Sequence, residues 1–280
     1  MTIMRPRGFT LIELVVVVFV MALLFGILVP ALQYAREQAK TVVCMARIRD
    51  LGVSLHTYET GNDTFPLGFQ PVPIGAEPRR YAGSPIRDVM GDWWFEALGD
   101  VHYESERGFK SMTCPSKIQS DRALDWNVLC GNYGANMAIC RTDGYLKPYI
   151  DNFHGPSLSS SEVRQPSRTL LLVDSGYALL SWWHVTDDPP VPLPPTMWTQ
   201  NTAYLPGLDI NQDRAILPGQ TEDALGGRHP GKTVNVTFVD GHVDRKPADA
   251  LRVDKTEDGY ENLSPLWEST ARSAAAIGPR

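Results

Sequence analysis

Charge is missing from one long stretch of this sequence: no Asp, Glu, Lys or Arg occurs from Leu14 to Leu32, a run of 19 residues. At about 1.5 Å rise per residue, a helix of that length spans roughly 28 Å, close to the hydrocarbon thickness of a bilayer. The run therefore predicts a membrane-spanning helix. Because residues 29–31 form a small-x-small cleavage pattern, removal as a secretory signal is one alternative, although such signals have apolar cores of about 7–15 residues. A plain signal anchor that does not polymerise is another.

Clustered positive charge is missing as well. The chain has a formal net charge of −6, and residues 61–280 hold 20 Lys and Arg against 28 Asp and Glu. Nucleic-acid binding needs clustered basic residues, so no nucleic-acid partner is expected. Arg5 and Arg7 precede the apolar run, which places the N-terminus in the cytoplasm and the remainder of the chain outside.

Two common catalytic motifs are also absent. The sequence contains no H-E-x-x-H pair, and residues 173–176 (V-D-S-G) lack the G-x-S-x-G pattern of a nucleophilic serine. We therefore expect a protein that is not an enzyme.

The residues around the start of the apolar run carry a more specific signal. A short basic segment ends at Gly8, Phe9 follows, and Glu13 lies just inside the apolar stretch. A carboxylate at this depth is costly unless a partner neutralises it. Cleavage after Gly8 would create an α-amino group on Phe9, on the same copy or on a neighbour. Pairing Glu13 of one copy with the Phe9 amine of the next would favour one axial register.

The segment G-F-T-L-I-E-L-V-V-V-V (8–18) resembles the class III signal of type IV pilins and type II secretion pseudopilins. The resemblance implies that a prepilin peptidase cuts after Gly8 and N-methylates Phe9. It makes Glu13 the assembly glutamate and Pro30 the helix-kinking proline. It also implies a single-pass inner-membrane protein that joins a filament, with other pilin or pseudopilin subunits, an inner-membrane assembly platform and membrane lipid as partners.

Three parts of the chain are predicted: a leader (1–8), a transmembrane and assembly helix (9–60) and an extracytoplasmic head (61–280). Beyond the membrane, apolar residues continue at three- and four-residue spacing and predict a helix face that packs on the head. The strand candidates are short and dispersed. The expected fold is α+β, a long N-terminal helix packed on a C-terminal globular head with an antiparallel β-sheet. The predicted stripe comprises Leu32, Ala35, Ala39, Val42, Cys44, Ile48, Leu51, Leu55 and Tyr58.

A second resemblance rests on motifs in the head: residues 114–116 (C-P-S), 132–134 (N-Y-G), a strand that ends at Asp174, and the segment from His229 to Asp240-Gly241. These are similar to large bacterial pilin-like proteins of the H-X9-DG type, named for a histidine followed after nine residues by Asp-Gly. Here ten residues separate His229 from Asp240, and a bulge would absorb the extra one. The resemblance implies an assembly role and brings no established chemistry.

Candidate metal ligands lie in the same region. His229, Asp240, His242 and Asp174 offer imidazoles and carboxylates for a divalent ion such as zinc or manganese. The alternative is a tight Asp-Gly turn whose histidines bond to nearby backbone. No other cofactor is implied.

Of the four cysteines, Cys44 lies on the predicted helix, and Cys114, Cys130 and Cys140 lie in the head. One disulfide is expected among the latter three. The Cys130–Cys140 pair closes the shortest loop, and Cys114–Cys130 and Cys114–Cys140 are the alternatives. No pair has C-x-x-C spacing, which argues against zinc bound by cysteines.

Tryptophans support an alternative function. Such rings stack on sugars, although tryptophan pairs are more often core residues. The alternative is a membrane-anchored binding module whose head recognises a surface polymer or glycan. The candidates are Trp93, Trp94, Trp182, Trp183 and Trp198.

Overall fold

The computed structural model of the protein describes residues 10–71, 91–99, 112–121, 129–142, 153–190 and 201–268. Its first element is the helix α1 (Leu11–Asn62), which has 52 residues and is about 78 Å long at the standard rise. Asp63 ends the helix in the left-handed conformation, where its N–H donates to the carbonyl of Glu59. The helix is continuous through Pro30.

The two halves of α1 have different surroundings. Residues 11–36 are exposed along their whole length, whereas one face is buried from Thr41 onwards. Leu32 and Val42 were predicted on the packing face, but each is 65% exposed, because the head covers only the later turns and only one side of them. The buried positions are Thr41, Cys44, Ile48, Leu51, Gly52 and Leu55.

The head contains a five-stranded sheet and two small hairpin sheets. The hairpin sheets pair β1 (Phe69–Pro71) with β2 (Gly91–Trp93), and β8 (Asp254–Thr256) with β9 (Gly259–Glu261). The large sheet has the order β5-β3-β4-β6-β7. Its strands are β3 (Tyr133–Asn136), β4 (Leu170–Asp174), β5 (Leu179–Leu180), β6 (Thr233–Phe238) and β7 (Val243–Pro247).

The pairing of the large sheet confirms the α+β fold and adds one exception to the antiparallel expectation. The β3–β4, β4–β6 and β6–β7 pairs are antiparallel, but β3 and β5 are parallel. The chain reverses between β4 and β5, and β4 already runs opposite to β3. For this reason β5 points the same way as β3.

The buried face of α1 lies against the large sheet, chiefly on β6. The hydroxyl of Thr237 donates to the carbonyl of Ile48 over 3.2 Å. A Cβ atom at Gly52 would lie 2.7 Å from Cγ2 of Thr237, closer than carbon atoms approach one another. The absence of a side chain at Gly52 therefore sets how closely the helix approaches the strand.

A buried ion pair holds the short helix α2 (Thr221–Gly226) to the sheet. The guanidinium of Arg228 contacts both carboxylate oxygens of Asp223 at 2.9–3.0 Å and also donates to the carbonyls of Asn132 and Ser175. Tyr204 donates its hydroxyl to the same carboxylate over 2.8 Å. Arg228 thereby fixes the backbone directly before His229.

Candidate functional site

The apolar first half of α1 is the most conspicuous surface of the molecule. Leu11 is 79% exposed and Ile27 71% exposed, and no side chain between them is covered by the head. Within the described residues, α1 is the helix that is long and apolar enough to cross a membrane. An apolar surface of this extent requires lipid or other apolar helices around it.

Glu13 has a partner within its own chain. Its Oε2 accepts hydrogen bonds from the N–H of Thr10 over 2.9 Å and from the Thr10 hydroxyl over 2.8 Å. The N–H of Glu13 donates back to that hydroxyl, which completes a capping box at the start of α1. The T-x-x-E spacing was available in the sequence but was not used in the prediction. The carboxylate thus caps the helix in a single copy.

The other predicted residues of this region are placed as follows. Gly8 and Phe9 lie outside the described residues. Pro30 is an interior residue of α1, and a Cβ atom at Gly26 would meet nothing within 4 Å. The helix kink that the resemblance implies at Pro30 is expected in the assembled filament, and it stays a prediction.

A second candidate site lies where the buried half of α1 meets the sheet. We call it the helix–sheet cluster; it consists of Cys44, Cys114, Asp174 and His229. Cys44 lies on the buried face of α1, Asp174 is the last residue of β4, and His229 precedes β6. One ligand atom from each of the four residues lies within 4.8 Å of the other three.

Asp174 is at the centre of the helix–sheet cluster. Its Oδ2 lies 3.1 Å from Nε2 of His229 and accepts the N–H of Asn235 over 2.7 Å. Its Oδ1 accepts from the thiol of Cys44 over 3.3 Å. The sulfur of Cys114 lies 3.8 Å from the same Nε2 of His229. Asp174 therefore connects α1, β6 and the segment before β6.

A threonine on α1 fixes the orientation of the His229 ring. The hydroxyl of Thr41 donates its one proton to the carbonyl of Glu37 over 2.9 Å. Nδ1 of His229 lies 3.1 Å from that hydroxyl, which must therefore accept from an Nδ1–H group. With the ring held in this orientation, Nε2 faces Asp174 and Cys114.

Burial and the neighbouring charges act in opposite directions on the pKa values of the cluster. Burial raises the pKa of the Asp174 carboxyl, but the contacts with His229, the charge of Arg228 and the Asn235 N–H outweigh it and hold that pKa below its ordinary value. Burial lowers the pKa of His229, but its bonds to Asp174 and Cys114 raise it to about 9. Both groups are therefore held in their charged forms.

The thiol of Cys114 differs from the other head cysteines. Burial raises its pKa, but bonds to Cys44 and His229 outweigh that effect and bring the pKa to about 6. For Cys130 and Cys140, burial dominates and raises the pKa to about 12. Cys114 is therefore the head cysteine whose surroundings favour a thiolate.

The burial of the cluster limits what it can do. Cys44 and Asp174 are 0% exposed, Cys114 is 1% exposed and His229 3% exposed. A nucleophile must reach its substrate, and this thiolate is enclosed by the helix and the sheet. The arrangement suits a structural role.

The structure does not bring the four predicted metal ligands together. His229 and Asp174 meet, but Asp240 and His242 form a separate pair in which Nδ1 of His242 lies 2.5 Å from Oδ1 of Asp240. The His242 ring stacks on Phe238 and is partly exposed. His229 precedes β6, whereas Asp240 and His242 follow it, and a six-residue strand separates them by about 20 Å.

The extra residue in the H-X9-DG spacing has no matching bulge in β6. The irregularity in this part of the sheet lies in β4, where the register shifts between Leu170 and Leu172. His229 forms its carboxylate contact with Asp174 and not with Asp240. The histidine of this motif therefore faces a neighbouring strand.

All four cysteines are free thiols in the structure, and all are buried. Of the three disulfide candidates, Cys114 lies beside Cys44, while Cys130 and Cys140 are core residues. The sequence prediction placed Cys44 on the helix face that packs on the head, and the structure buries it there with Ile48 and Leu51. It did not group Cys44 with the head cysteines.

The tryptophans proposed for sugar binding are core residues wherever the structure describes them. Trp93 is 5% exposed, Trp94 0%, Trp182 2% and Trp183 3%. Trp198 lies outside the described residues. None of the four described rings offers an open face to a glycan.

Residues 226–233 (G-G-R-H-P-G-K-T) match the letters of a phosphate-binding P-loop. That motif needs a strand before the loop and a helix after it, whose N-terminus faces the phosphate. Here the segment follows α2 and leads into β6, so the order is reversed. The match carries no nucleotide-binding function.

Comparisons with known proteins support the resemblance that the N-terminal sequence predicted. The family model of the prokaryotic N-terminal methylation motif matches residues 3–29. The type II secretion system core protein G of Pectobacterium carotovorum subsp. carotovorum is 32% identical over 98 residues, which cover 32% of this chain and 63% of that protein. The chain thus spans less than two thirds of that relative's length. No solved structure matches the chain. The two matches confirm the predicted resemblance to pilins and pseudopilins.

Proposed function

We propose that this chain is a subunit of a type IV pilus or a type II secretion-type filament and that it assembles through its apolar N-terminal helix. The exposed first half of α1 carries the proposal, because that surface is apolar on all sides from Leu14 to Leu32. Such a surface is stable in lipid or against other apolar helices. It lies in the inner membrane before assembly and packs against neighbouring subunits in the filament.

Processing precedes assembly in this proposal. A prepilin peptidase removes residues 1–8 and methylates the exposed amine of Phe9. Arg5 and Arg7 hold the N-terminus in the cytoplasm, so that the head lies outside. The subunit then passes from the membrane to the filament through the assembly platform. Its role is mechanical and not catalytic.

Glu13 has two roles that can be separated by substitution. Its carboxylate caps α1 through Thr10, and glutamine supports a capping box equally well. Its negative charge pairs with the Phe9 amine of a neighbouring copy, which glutamine cannot do. Replacement by glutamine therefore removes the charge and keeps the cap.

Mass spectrometry of the mature N-terminus tests the processing step. The chain is expressed with a prepilin peptidase, and the expected product begins at Phe9 and carries one added methyl group. A product that retains Met1, or one that begins at Leu32, would contradict the proposal.

Filament assembly in a host with a complete assembly machine tests the role of Glu13. Glu13→Gln and Glu13→Ala are both expected to be cleaved but to be missing from the sheared filament fraction. Thr10→Ala is the matched control, since it removes the capping hydroxyl and leaves the carboxylate, and it should assemble. Normal filaments from Glu13→Gln would show that the charge does not set the register.

A further inference from the structure

The helix–sheet cluster has the composition and the spacing of a metal site. We propose that Cys44, Cys114, Asp174 and His229 bind one divalent metal ion of the zinc class and thereby fasten α1 to the head. Two of the ligands, His229 and Asp174, were predicted from the sequence. The other two are Cys44, which was predicted on the helix, and Cys114, which was a disulfide candidate. The proposal concerns the attachment of the helix to the sheet and does not depend on filament assembly.

The distances within the cluster fit a tetrahedral ion. With bond lengths of about 2.0–2.3 Å, neighbouring ligand atoms around zinc lie roughly 3.3–3.8 Å apart. Here Nε2 of His229 lies 3.1 Å from Asp174 Oδ2, and Cys44 Sγ lies 3.3 Å from Asp174 Oδ1. Cys114 Sγ lies 3.8 Å from Nε2 of His229. The four ligand atoms all lie within 4.8 Å of one another.

The chemistry of the donors selects the ion. Two thiolates, one imidazole and one carboxylate form a set typical of zinc, whereas calcium and magnesium require mainly oxygen ligands. The three anionic ligands exceed the charge of a divalent ion by one. The guanidinium of Arg228, which is itself paired with Asp223, also acts electrostatically on both Cys114 and Asp174.

Each of three ligands is also held by a second residue, as in established metal sites. Thr41 accepts from Nδ1 of His229 and directs Nε2 towards the other ligands, so a bound ion would replace the proton on Nε2. The hydroxyl of Tyr133 donates to Cys44 Sγ over 3.4 Å, and the N–H of Asn235 donates to Asp174.

The side-chain amide of Asn235 is the neighbour that must turn when Nε2 binds an ion. Its Nδ2 lies 3.1 Å from Nε2 of His229. Its Oδ1 is buried and has no hydrogen-bond partner within the described part of the chain. In its present orientation, the amide of Asn235 therefore uses its NH2 group but not its carbonyl oxygen.

The site would be closed and structural. All four ligands are buried, and they come from α1, residues 112–121, the end of β4 and the segment before β6. An ion bound there links four segments that are distant in sequence. Removing it should loosen α1 from the sheet before the rest of the head unfolds.

The test begins with the wild-type full chain in detergent micelles, with its thiols reduced. Elemental analysis after purification without chelator is expected to give one zinc per chain. Titration of the metal-free protein with cobalt is expected to saturate at one equivalent. The absorption spectrum should show bands of tetrahedral cobalt and cobalt–thiolate charge transfer.

Variants then identify the ligands. Cys44→Ser and Cys114→Ser should each lose most of the thiolate band, and His229→Gln should weaken cobalt binding by at least tenfold. Cys130→Ser and Asp240→Asn are matched controls, since they change a buried cysteine and a predicted ligand outside the cluster, and they should bind as wild type.

Three results would overturn the proposal. They are a reduced wild-type chain that binds neither zinc nor cobalt, a cobalt spectrum without a thiolate band, and a Cys44–Cys114 disulfide in protein isolated from its native compartment. If the variants fail to fold, the wild-type cobalt titration still decides the question.

Discussion

Nε2 of His229 lies 3.1 Å from Oδ2 of Asp174, in a fully buried contact between the segment before β6 and the last residue of β4. Cys44 places α1 against the same carboxylate. The long N-terminal helix and the sheet of the head are therefore joined through one charged side chain.

Asp174→Asn is expected to destabilise the head strongly. In the metal-free chain it leaves the charge of His229 buried without its partner, a change that costs about 3–5 kcal/mol in proteins. Chemical unfolding of the full chain in detergent micelles measures the change in unfolding free energy. Asp240→Asn, in the partly exposed β6–β7 turn, is the control and should change that free energy by less than about 0.5 kcal/mol. Equal effects of the two substitutions would show that burial of the Asp174 contact is unimportant.

Gly52→Ala is expected to destabilise the packing of α1 on β6. The added methyl group meets Cγ2 of Thr237 at 2.7 Å, and overpacking of this kind costs about 1–3 kcal/mol. Thr237→Ser removes that methyl group, so the double variant should recover part of the loss. Gly61→Ala is the control, because a Cβ atom there meets nothing within 4 Å. A stabilising effect of Gly52→Ala on unfolding free energy would contradict the close approach.

Arg228→Met is expected to cost about 3–5 kcal/mol, because it leaves Asp223 charged and buried without a counterion. The double variant Arg228→Met/Asp223→Leu should recover much of this loss, since no lone charge remains. Lys232→Met breaks an exposed ion pair with Asp209 and should leave the midpoint of chemical unfolding unchanged. A double variant as unstable as the single one would show that the backbone contacts of Arg228 matter more than the ion pair.

The stability of the head is expected to fall between pH 6.5 and pH 3 in a way that depends on His184. Burial, aided by the charge of Arg214, lowers the pKa of this histidine from 6.5 to about 3. The unfolded chain therefore binds a proton in this range that the folded chain does not. The contribution to unfolding free energy is present above pH 6.5 and decreases towards pH 3, by at most about 1.4 kcal/mol per pH unit.

His184→Gln removes this titration while retaining a polar side chain beside Ser181, to which Nδ1 of the histidine is bonded. The difference in unfolding free energy between the variant and the wild type should narrow as the pH falls. Unfolding curves at several pH values measure it. A difference that stays constant from pH 7 to pH 4 would show that folding does not lower the pKa of His184.

The part of the structure that follows from short-range patterns was predictable. The uncharged run, the stripe from Cys44 to Leu55 and the short strand candidates each depend on residues a few positions apart. These patterns predicted the long helix, its packing face and a sheet-containing head. The exposed positions of Leu32 and Val42 were not predictable, because they depend on where the head ends along α1.

The helix–sheet cluster was only partly predictable. Asp174 and His229 were selected by residue type and by their position next to strands. His229 was grouped with Asp240 and His242 because these are near it in sequence. The length of β6 separates the two groups in space. Cys44 and Asp174, by contrast, are 130 residues apart in sequence and in contact.

The apolar N-terminal helix with an acidic residue near its start follows from the amino-acid order alone, because hydrophobicity and local spacing act within one element. Which polar side chains share the junction between helix and sheet depends on how the whole chain packs. Four chain segments must pack before Cys44, Cys114, Asp174 and His229 meet. No local pattern encodes that meeting, since it results from the order of strands and the side of the sheet that α1 covers.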